Sequence, residues 1–363
     1  MRYGGQKNML NKKFYRLMTG IRKYCACRLI IVICYLLCLI SAARSATPGT
    51  SGSQFLNVPI FARSAALGEA YTGCADEAGI MEYNPGGIGN IYVKEVWFSH
   101  LSYIENSSLQ SFSLVLPYRK FVVGLNCRYH GSQEKEFDAN GIETGDFKIS
   151  DLSVMPAFAY RVTPELSCGV GIKGISQKLH DESGSSVAAD MGVFYRFARQ
   201  RVAAGVSLVN VGKGVKFIDE RDPLPMTFKL GGSWELSTGN LILLEVLKPN
   251  DDTLKQRIGF EYHIIEPMWL RMGWKISGRK FEDYTGFTSG FGLRFGRFYL
   301  DYAFVPHSNL GSSHYVTTGL KFGSPLPLPK SKAIKIKREE DSDAAGEEDI
   351  TPEQDTEDSD AEY

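Results

Sequence analysis

Cysteine is scarce and poorly placed for stapling a fold. Of the seven in this 363-residue chain, Cys25, Cys27, Cys34 and Cys38 lie within the first 40 residues, which leaves Cys74, Cys127 and Cys168. Three widely spaced thiols allow one bridge at most, and no CxxC pair or histidine cluster accompanies them to hold a metal. An excess of one charge is also missing, since 41 Lys/Arg balance 41 Asp/Glu. The charges are nevertheless segregated. Residues 1–46 carry nine basic and no acidic side chains, residues 339–363 carry thirteen acidic and no basic ones, and the stretch between them is only +4. A nucleic-acid platform needs a basic face, so nucleic acid is excluded as a partner. Long apolar runs are absent too: Leu29–Ile40 has twelve residues, well short of the roughly 20 that cross about 30 Å of hydrocarbon as a helix.

That short run follows Lys12, Lys13, Arg16, Arg22, Lys23 and Arg28, and it precedes Ser41 and Ala43 at the −3 and −1 positions of a cleavage site. Residues 1–43 therefore read as a secretory signal peptide, with Ala46 as the alternative end. Catalytic signatures are missing as well. Neither GxSxG nor GxxxxGK[ST] occurs, and His100, His130, His180, His263, His307 and His314 fall in no recognisable constellation. No enzyme activity, no metal and no cofactor are expected.

Glycine (37), phenylalanine (21) and tyrosine (18) are plentiful, a composition that favours turns and strands over a helical bundle. After a polar extension over 44–54 comes a compact segment, 55–95. There Ala62 to Ala78 suggests one or two small helices interrupted by Gly73, and Asn84-Pro85-Gly86-Gly87 demands a tight turn. From Val96 to Phe322 the chain breaks into fourteen partly alternating runs, an even number that suits a closed antiparallel barrel. Leu166, Cys168, Val170 and Ile172, for example, alternate with Ser167, Gly169, Gly171 and Lys173. In lipid every backbone N–H and C=O must be paired internally, so a chain without long apolar helices crosses only as a closed sheet. Soluble sandwiches and soluble barrels alternate too, and pattern alone leaves them open. His130–Ile149 reads as one long polar loop, and Val211–Met226 as a second long connection. Beyond Gly323, SPLPLPK gives a stiff spacer, and the acidic tail that completes 324–363 is expected to be disordered.

Three stretches carry more than periodicity: ARSAALGEAYTGCADEAGIMEYNPGGIGNI, VGKGVKFIDERDPLPMTFKLGGSW and FYLDYAFVPHSNLGSSHYVTTGLKFG. Together they resemble the PorV/PorQ-like outer-membrane family, which is similar to the FadL-type hydrophobic-compound transporters and includes uncharacterised spirochaetal relatives. The resemblance spans about Phe55 to Gly323. It implies an all-β fold, a 14-stranded antiparallel transmembrane β-barrel over 96–323 with an N-terminal hatch over 55–95 in the lumen. It also implies an outer-membrane location in a diderm bacterium, with hatch and both termini toward the periplasm, and barrel-assembly machinery and outer-membrane lipids as partners.

The implied function is passive binding and uptake of hydrophobic small molecules such as long-chain fatty acids. The alternative is a non-transporting PorV-like scaffold that docks secreted or other proteins through loops or the acidic tail. The family's hatch motif Asn-Pro-Ala resembles Asn84-Pro85-Gly86, with Gly in place of Ala giving the turn more backbone freedom, and with Gly87 these residues are the candidate hinge. Arg63, Glu69 and Glu82 are candidate hatch tethers, and Arg128 and Arg294 are candidates for pairing with a fatty-acid carboxylate. Asp301-Tyr302-Ala303 and Leu310-Gly311 read as closure and turn geometry.

Overall fold

The computed structural model describes residues 49–104, 107–197, 201–217, 220–237, 239–277 and 286–327. The expected leader, 1–43, and the tail from 328 onward lie outside the described residues. Fourteen strands form one closed antiparallel barrel: β1 (Lys94–Ser102), β2 (Ser108–Pro117), β3 (Phe121–Phe137), β4 (Glu143–Arg161), β5 (Leu166–Leu179), β6 (Glu182–Phe197) and β7 (Val202–Gly212). β8 (Thr227–Ser237), β9 (Asn240–Pro249), β10 (Lys255–Ile265), β11 (Met268–Ser277), β12 (Phe287–Phe295), β13 (Phe298–Pro306) and β14 (Ser312–Phe322) complete it. Each strand pairs with its sequence neighbour, and β1 closes on β14 from Lys94↔Phe322 to Ser102↔His314. Closure leaves no sheet edge, the condition for strands to stand in lipid.

Alternation assigns the two faces. In β5, Ser167, Gly169, Gly171 and Lys173 are buried while Cys168, Val170 and Ile172 are exposed, the last two at 53% and 58%. Large apolar side chains are thus outside and small or polar ones inside, the inverse of a water-soluble barrel and the arrangement that hydrocarbon requires. Strand connections differ at the two ends of the barrel. Those beside Lys94 and Phe322, here the turn end, are two to four residues long, whereas the opposite loop end carries the Lys213–Met226 connection, with a ribbon pairing Val215–Lys216 to Arg221–Asp222.

The expected polar loop at His130–Ile149 is instead strand. β3 and β4 stay paired as far as Phe137↔Glu143, although β2 leaves β3 at Gly131 and β5 leaves β4 at Ile149. Polar cross-strand partners such as Gln133 with Asp146 and Lys135 with Glu143 let this hairpin stand free in water. Its polarity resembled a loop because neither face is buried.

Residues from Ser51 to Ile91 fill the lumen as a plug. One short helix, α1 (Ala62–Ala66), stops where Gly68 and Glu69 both enter the left-handed region, at φ 64°, and single turns of 3-10 helix cover Ala78–Glu82 and Pro85–Asn90. Phe61, Leu67, Tyr71, Ile80, Met81 and Ile88 pack against inward-facing Trp97, Leu101, Leu109, Val115, Val122, Met155 and Phe194. Burial of large side chains of this kind stabilises by roughly 1.5–3 kcal/mol each. Close approach is possible because the wall is bare where backbone meets backbone. On three successive strands, Gly169, Gly192 and Gly205 lie so near Pro85, Asn84 and Thr72 that a Cβ would overlap them.

Gly169→Val should therefore leave the barrel intact yet displace the Pro85–Gly86 turn, lowering Tm by about 3–10 °C through roughly 1–3 kcal/mol of overpacking. Val170→Leu, on the lipid side of the same strand, should leave Tm unchanged. Equal Tm values for all three proteins would show that the turn does not rest on the wall.

Candidate functional site

The plug has little regular structure, so most of its backbone groups need partners outside its own chain segment. The wall supplies them from inward positions all round the barrel. Thr317 Oγ1 accepts the Ala62 N–H at 2.9 Å, and Thr288 Oγ1 accepts that of Gly68 at 3.0 Å while donating to the Ala66 carbonyl at 2.9 Å. Ser99, Ser167, Ser207 and Ser233 donate to the carbonyls of Ile60, Gly86, Tyr83 and Gly73 at 2.6–2.7 Å. Glu245 accepts the adjacent N–H groups of Tyr71 and Thr72 at 2.9 and 2.8 Å, and Arg161 donates to the carbonyls of Gly89 and Ile91 at 2.6 Å.

Charged side chains add a second set of links, concentrated on the β9–β14 side. Arg63 is buried between Glu261 (2.8 Å) and Asp76 (2.6 Å), with Glu77 at 3.4 Å, and Glu261 also receives Arg271 at 2.6 Å, which in turn reaches Asp301 at 2.5 Å. Glu69 meets Arg257 at 2.7 Å and also pairs with Lys275, while Glu82 pairs with Arg128. Burial opposes ionisation of Glu69, but Arg257 and Lys275 outweigh it and hold the carboxyl down at about 2. For Glu77 burial prevails over the more distant Arg63, pushing the carboxyl up to about 7, and its Oε1 accepts no hydrogen bond.

Asn84 is the junction of the candidate hinge. Its Oδ1 accepts the Gly86 N–H at 3.0 Å, capping the turn that starts at Pro85, and its Nδ2 donates to the Val193 carbonyl of β6 at 2.9 Å and to Thr72 within the plug at 3.3 Å. Gly87 sits against Ile80 of the plug itself.

Two cavities flank the plug and share no lining residue. One of about 680 Å³, toward the loop end, is lined by Leu56, Val58, Tyr83, Val209, Leu247 and Ile276 and by many charged side chains, among them Lys229, Arg257, Lys173, Lys255, Lys275, Arg128, Glu69, Glu82 and Asp252. Another of about 520 Å³, toward the turn end, is bounded by Arg63, Asp76, Glu261, Arg271, Arg294 and Tyr299. The two candidate carboxylate binders are not brought together. Both terminal nitrogens of Arg128 are engaged by the plug, one with Glu82 and one with the Phe55 carbonyl at 2.6 Å, whereas Arg294 lies exposed near the turn end with its guanidinium 5.0 Å from the Tyr299 ring centre.

Lys229 of β8, which sequence reading missed, points into the loop-end cavity with Nζ 4.5 Å from the Tyr83 ring centre and forms no ion pair among the described residues. Glu245 and Asp301 were also missed as contacts. Their signal was a lone carboxylate inside an apolar strand, LILLEVL and FYLDYAF; Asp301 carries an ion pair as well as its place in the closing strands. No cluster of His, Cys, Asp and Glu suited to a metal occurs among the described residues, and Cys74, Cys127 and Cys168 are all free thiols.

No family model and no curated protein sequence matches this chain. Solved structures share its fold. A TodX monoaromatic hydrocarbon channel carrying the deltaS2S3 mutation matches with a TM-score of 0.55 at 11% identity, over 72% of this chain and 99% of its own. A Pseudomonas aeruginosa FadL homologue gives 0.54 at 11% over 73% and 99%, and the CymD monoaromatic hydrocarbon channel 0.52 at 12% over 74% and 98%. At identities this low the likeness shows a shared barrel fold alone and leaves substrate to be argued from this chain's own residues.

The plug carboxylates should give the structure a defined acid response. Glu69 is more acidic folded than its ordinary 4.5, so its contribution is complete above about pH 4.5 and is lost as pH falls toward 2, on the order of 3 kcal/mol in all. Glu77 has the opposite sign: its neutral form fits the fold, and that contribution is lost as pH rises from about 4.5 through 7. Protease susceptibility of the plug, followed from about pH 4.5 to about 2.5, should start low and rise steeply in the wild type and should start higher and rise less in Glu69→Gln. Parallel curves for the two proteins would remove Glu69 as a tether.

Proposed function

We propose that this chain is an outer-membrane channel that binds amphipathic hydrophobic molecules in its loop-end cavity and passes them inward when the plug shifts. The loop end then faces outward, and the turn end, with both ends of the barrel, faces the periplasm. The observation that carries the reading is Lys229, which forms no ion pair among the described residues and lines a cavity that joins the apolar side chains of Leu56, Val58, Tyr83, Val209, Leu247 and Ile276 to a charged lining that includes Glu69, Lys173, Arg257 and Lys275. An apolar body loses water against those side chains while a negative head reaches Lys229. A long-chain fatty acid has that form, and the FadL homologue and the hydrocarbon channels that share the fold support a hydrophobic substrate.

Passage requires the plug to yield. Pro85, Gly86 and Gly87 supply the turn about which it would move, and Arg63, Glu69 and Glu82 the ionic links it would break or exchange. A movable hatch over 55–95 is thus part of the same proposal. The PorV-like scaffold is supported by one feature, the free-standing β3–β4 hairpin with Phe137 and Ile142 exposed near its tip, a surface for a protein partner.

Calorimetric titration of the detergent-purified protein with dodecanoate and with toluene separates these readings. Dodecanoate should bind, and Lys229→Met should raise its Kd about tenfold, the value of one lost charge-assisted contact, while leaving toluene unchanged. If neither compound binds wild-type protein, the uptake reading fails and the scaffold takes its place.

A further inference from the structure

The turn end of the barrel is chemically lopsided. Going round the rim, the turn joining β12 to β13, the paired ends of β14 and β1, and the turn joining β2 to β3 are consecutive. Along this arc stand the exposed cations Arg297, Lys94, Arg119 and Lys120, and none of the four forms an ion pair among the described residues. The acid on its strands, Glu95, is buried and faces Lys321 at 3.4 Å, and the half-exposed Asp76 of the plug, whose carbonyl accepts Lys321 Nζ, is paired with Arg63 at 2.6 Å. On the far side of the same rim, Glu235 and Glu266 interrupt the positive charge.

Each of the two turns has the same order, aromatic, basic, aromatic: Tyr118-Arg119-Lys120-Phe121 and Phe295-Gly296-Arg297-Phe298. The rings are exposed, Phe295 at 58% and Phe298 at 64%, and Tyr118, Phe121 and Phe158 form a stack with centroids 5.0 and 5.8 Å apart. Exposed aromatics at the border of an apolar belt mark the headgroup level of a bilayer. The cations occupy the next layer out, where phosphates lie.

The turns are also held in place. Buried Arg161 donates its guanidinium to the carbonyls of Tyr118 and, at 3.3 Å, Arg119, and its N–H to the Lys120 carbonyl at 2.8 Å; the Lys321 N–H binds the Arg297 carbonyl at 3.0 Å. Backbone fixed from within leaves the charged side chains directed away from the wall.

We infer that this arc, centred on the β1–β14 seam, is a binding surface for anionic phospholipid headgroups in the leaflet that meets the turn end. Four exposed cations that form no ion pair among the described residues favour a phosphodiester headgroup of net negative charge over a zwitterionic one, and the flanking rings seat the glycerol region. The surface is independent of any cargo carried by the lumen.

The full-length protein reconstituted in phosphatidylcholine bilayers, probed by electron spin resonance with nitroxide-labelled phosphatidylglycerol or phosphatidylcholine, tests this. The association constant should be about three- to tenfold larger for phosphatidylglycerol, from a handful of surface cations. It should fall below about twofold in Arg119→Gln/Lys120→Gln/Arg297→Gln and in about 1 M salt, where screening acts within about 3 Å. Lys178→Gln, an exposed cation at the loop end, should retain the preference. Heat-modifiable gel mobility reports folding, and Lys94→Gln/Arg297→Gln serves, with the same expectation of a reduced preference, if the triple variant fails to fold. No preference in the wild type, full preference in the arc variants, or an equal loss in Lys178→Gln would each overturn the inference.

Discussion

Everything inside this barrel follows from one requirement: backbone polar groups that leave water must find partners. A strand meets it through its neighbours, but the plug, with one five-residue helix and scattered single turns, cannot meet it alone. Its carbonyls and N–H groups are received by Ser, Thr, Glu and Arg side chains spaced around the inner wall, and where no side chain fits, glycine admits the backbone itself. Each such bond nets only about 0.5–1.5 kcal/mol, yet leaving a buried group unmet costs about 1–3 kcal/mol. Specific docking of the plug therefore rests more on the penalty for misplacement than on the gain from any one contact.

The same requirement gives the plug two kinds of contact with the wall. On the β1–β4 side it packs largely apolar against apolar, around Trp97, Leu101 and Met155, with Arg128 and Arg161 as its charged contacts, whereas toward β9–β14 it is held by Arg63, Glu69 and the carboxylates and cations that answer them. Apolar contact is non-directional and tolerates sliding; a buried ion pair that loses one partner leaves an uncompensated charge. Because the loop-end cavity brings Lys229 and Tyr83 together at the plug surface, a bound anion there would alter the field at Glu69 and Glu245, which share that region with Arg257.

Strand periodicity was legible because its cause is local: in LSCGVGIK alternate residues face lipid and lumen, and nothing later in the chain changes that. The number of strands and the Asn84 turn were legible for the same reason. The β3–β4 hairpin was not, since its alternation vanishes where both faces meet water and pairing alone maintains the strand. The plug's partners were not legible either. Glu245 and Tyr71 are 174 residues apart, and only closure of the barrel sets them side by side. Arg128 and Glu82 were each singled out for different roles and meet each other, an outcome that no spacing in the sequence encodes.

A barrel wall must satisfy lipid on one side and plug on the other, and strand alternation allows each side to be set separately. At the turn end the two demands converge on adjacent residues. Arg161 faces inward and binds carbonyls of both the plug and the Tyr118–Lys120 turn, while Arg119 and Lys120 on that turn are exposed. One buried guanidinium thus couples the position of Gly89 and Ile91 to the conformation of a rim turn. A plug displacement that withdrew those two carbonyls would leave Arg161 with unmet donors in a partly buried site, so the rim turn and the plug exit must reorganise together or not at all. The geometry of the membrane-facing rim is in this sense a condition on any displacement of the plug.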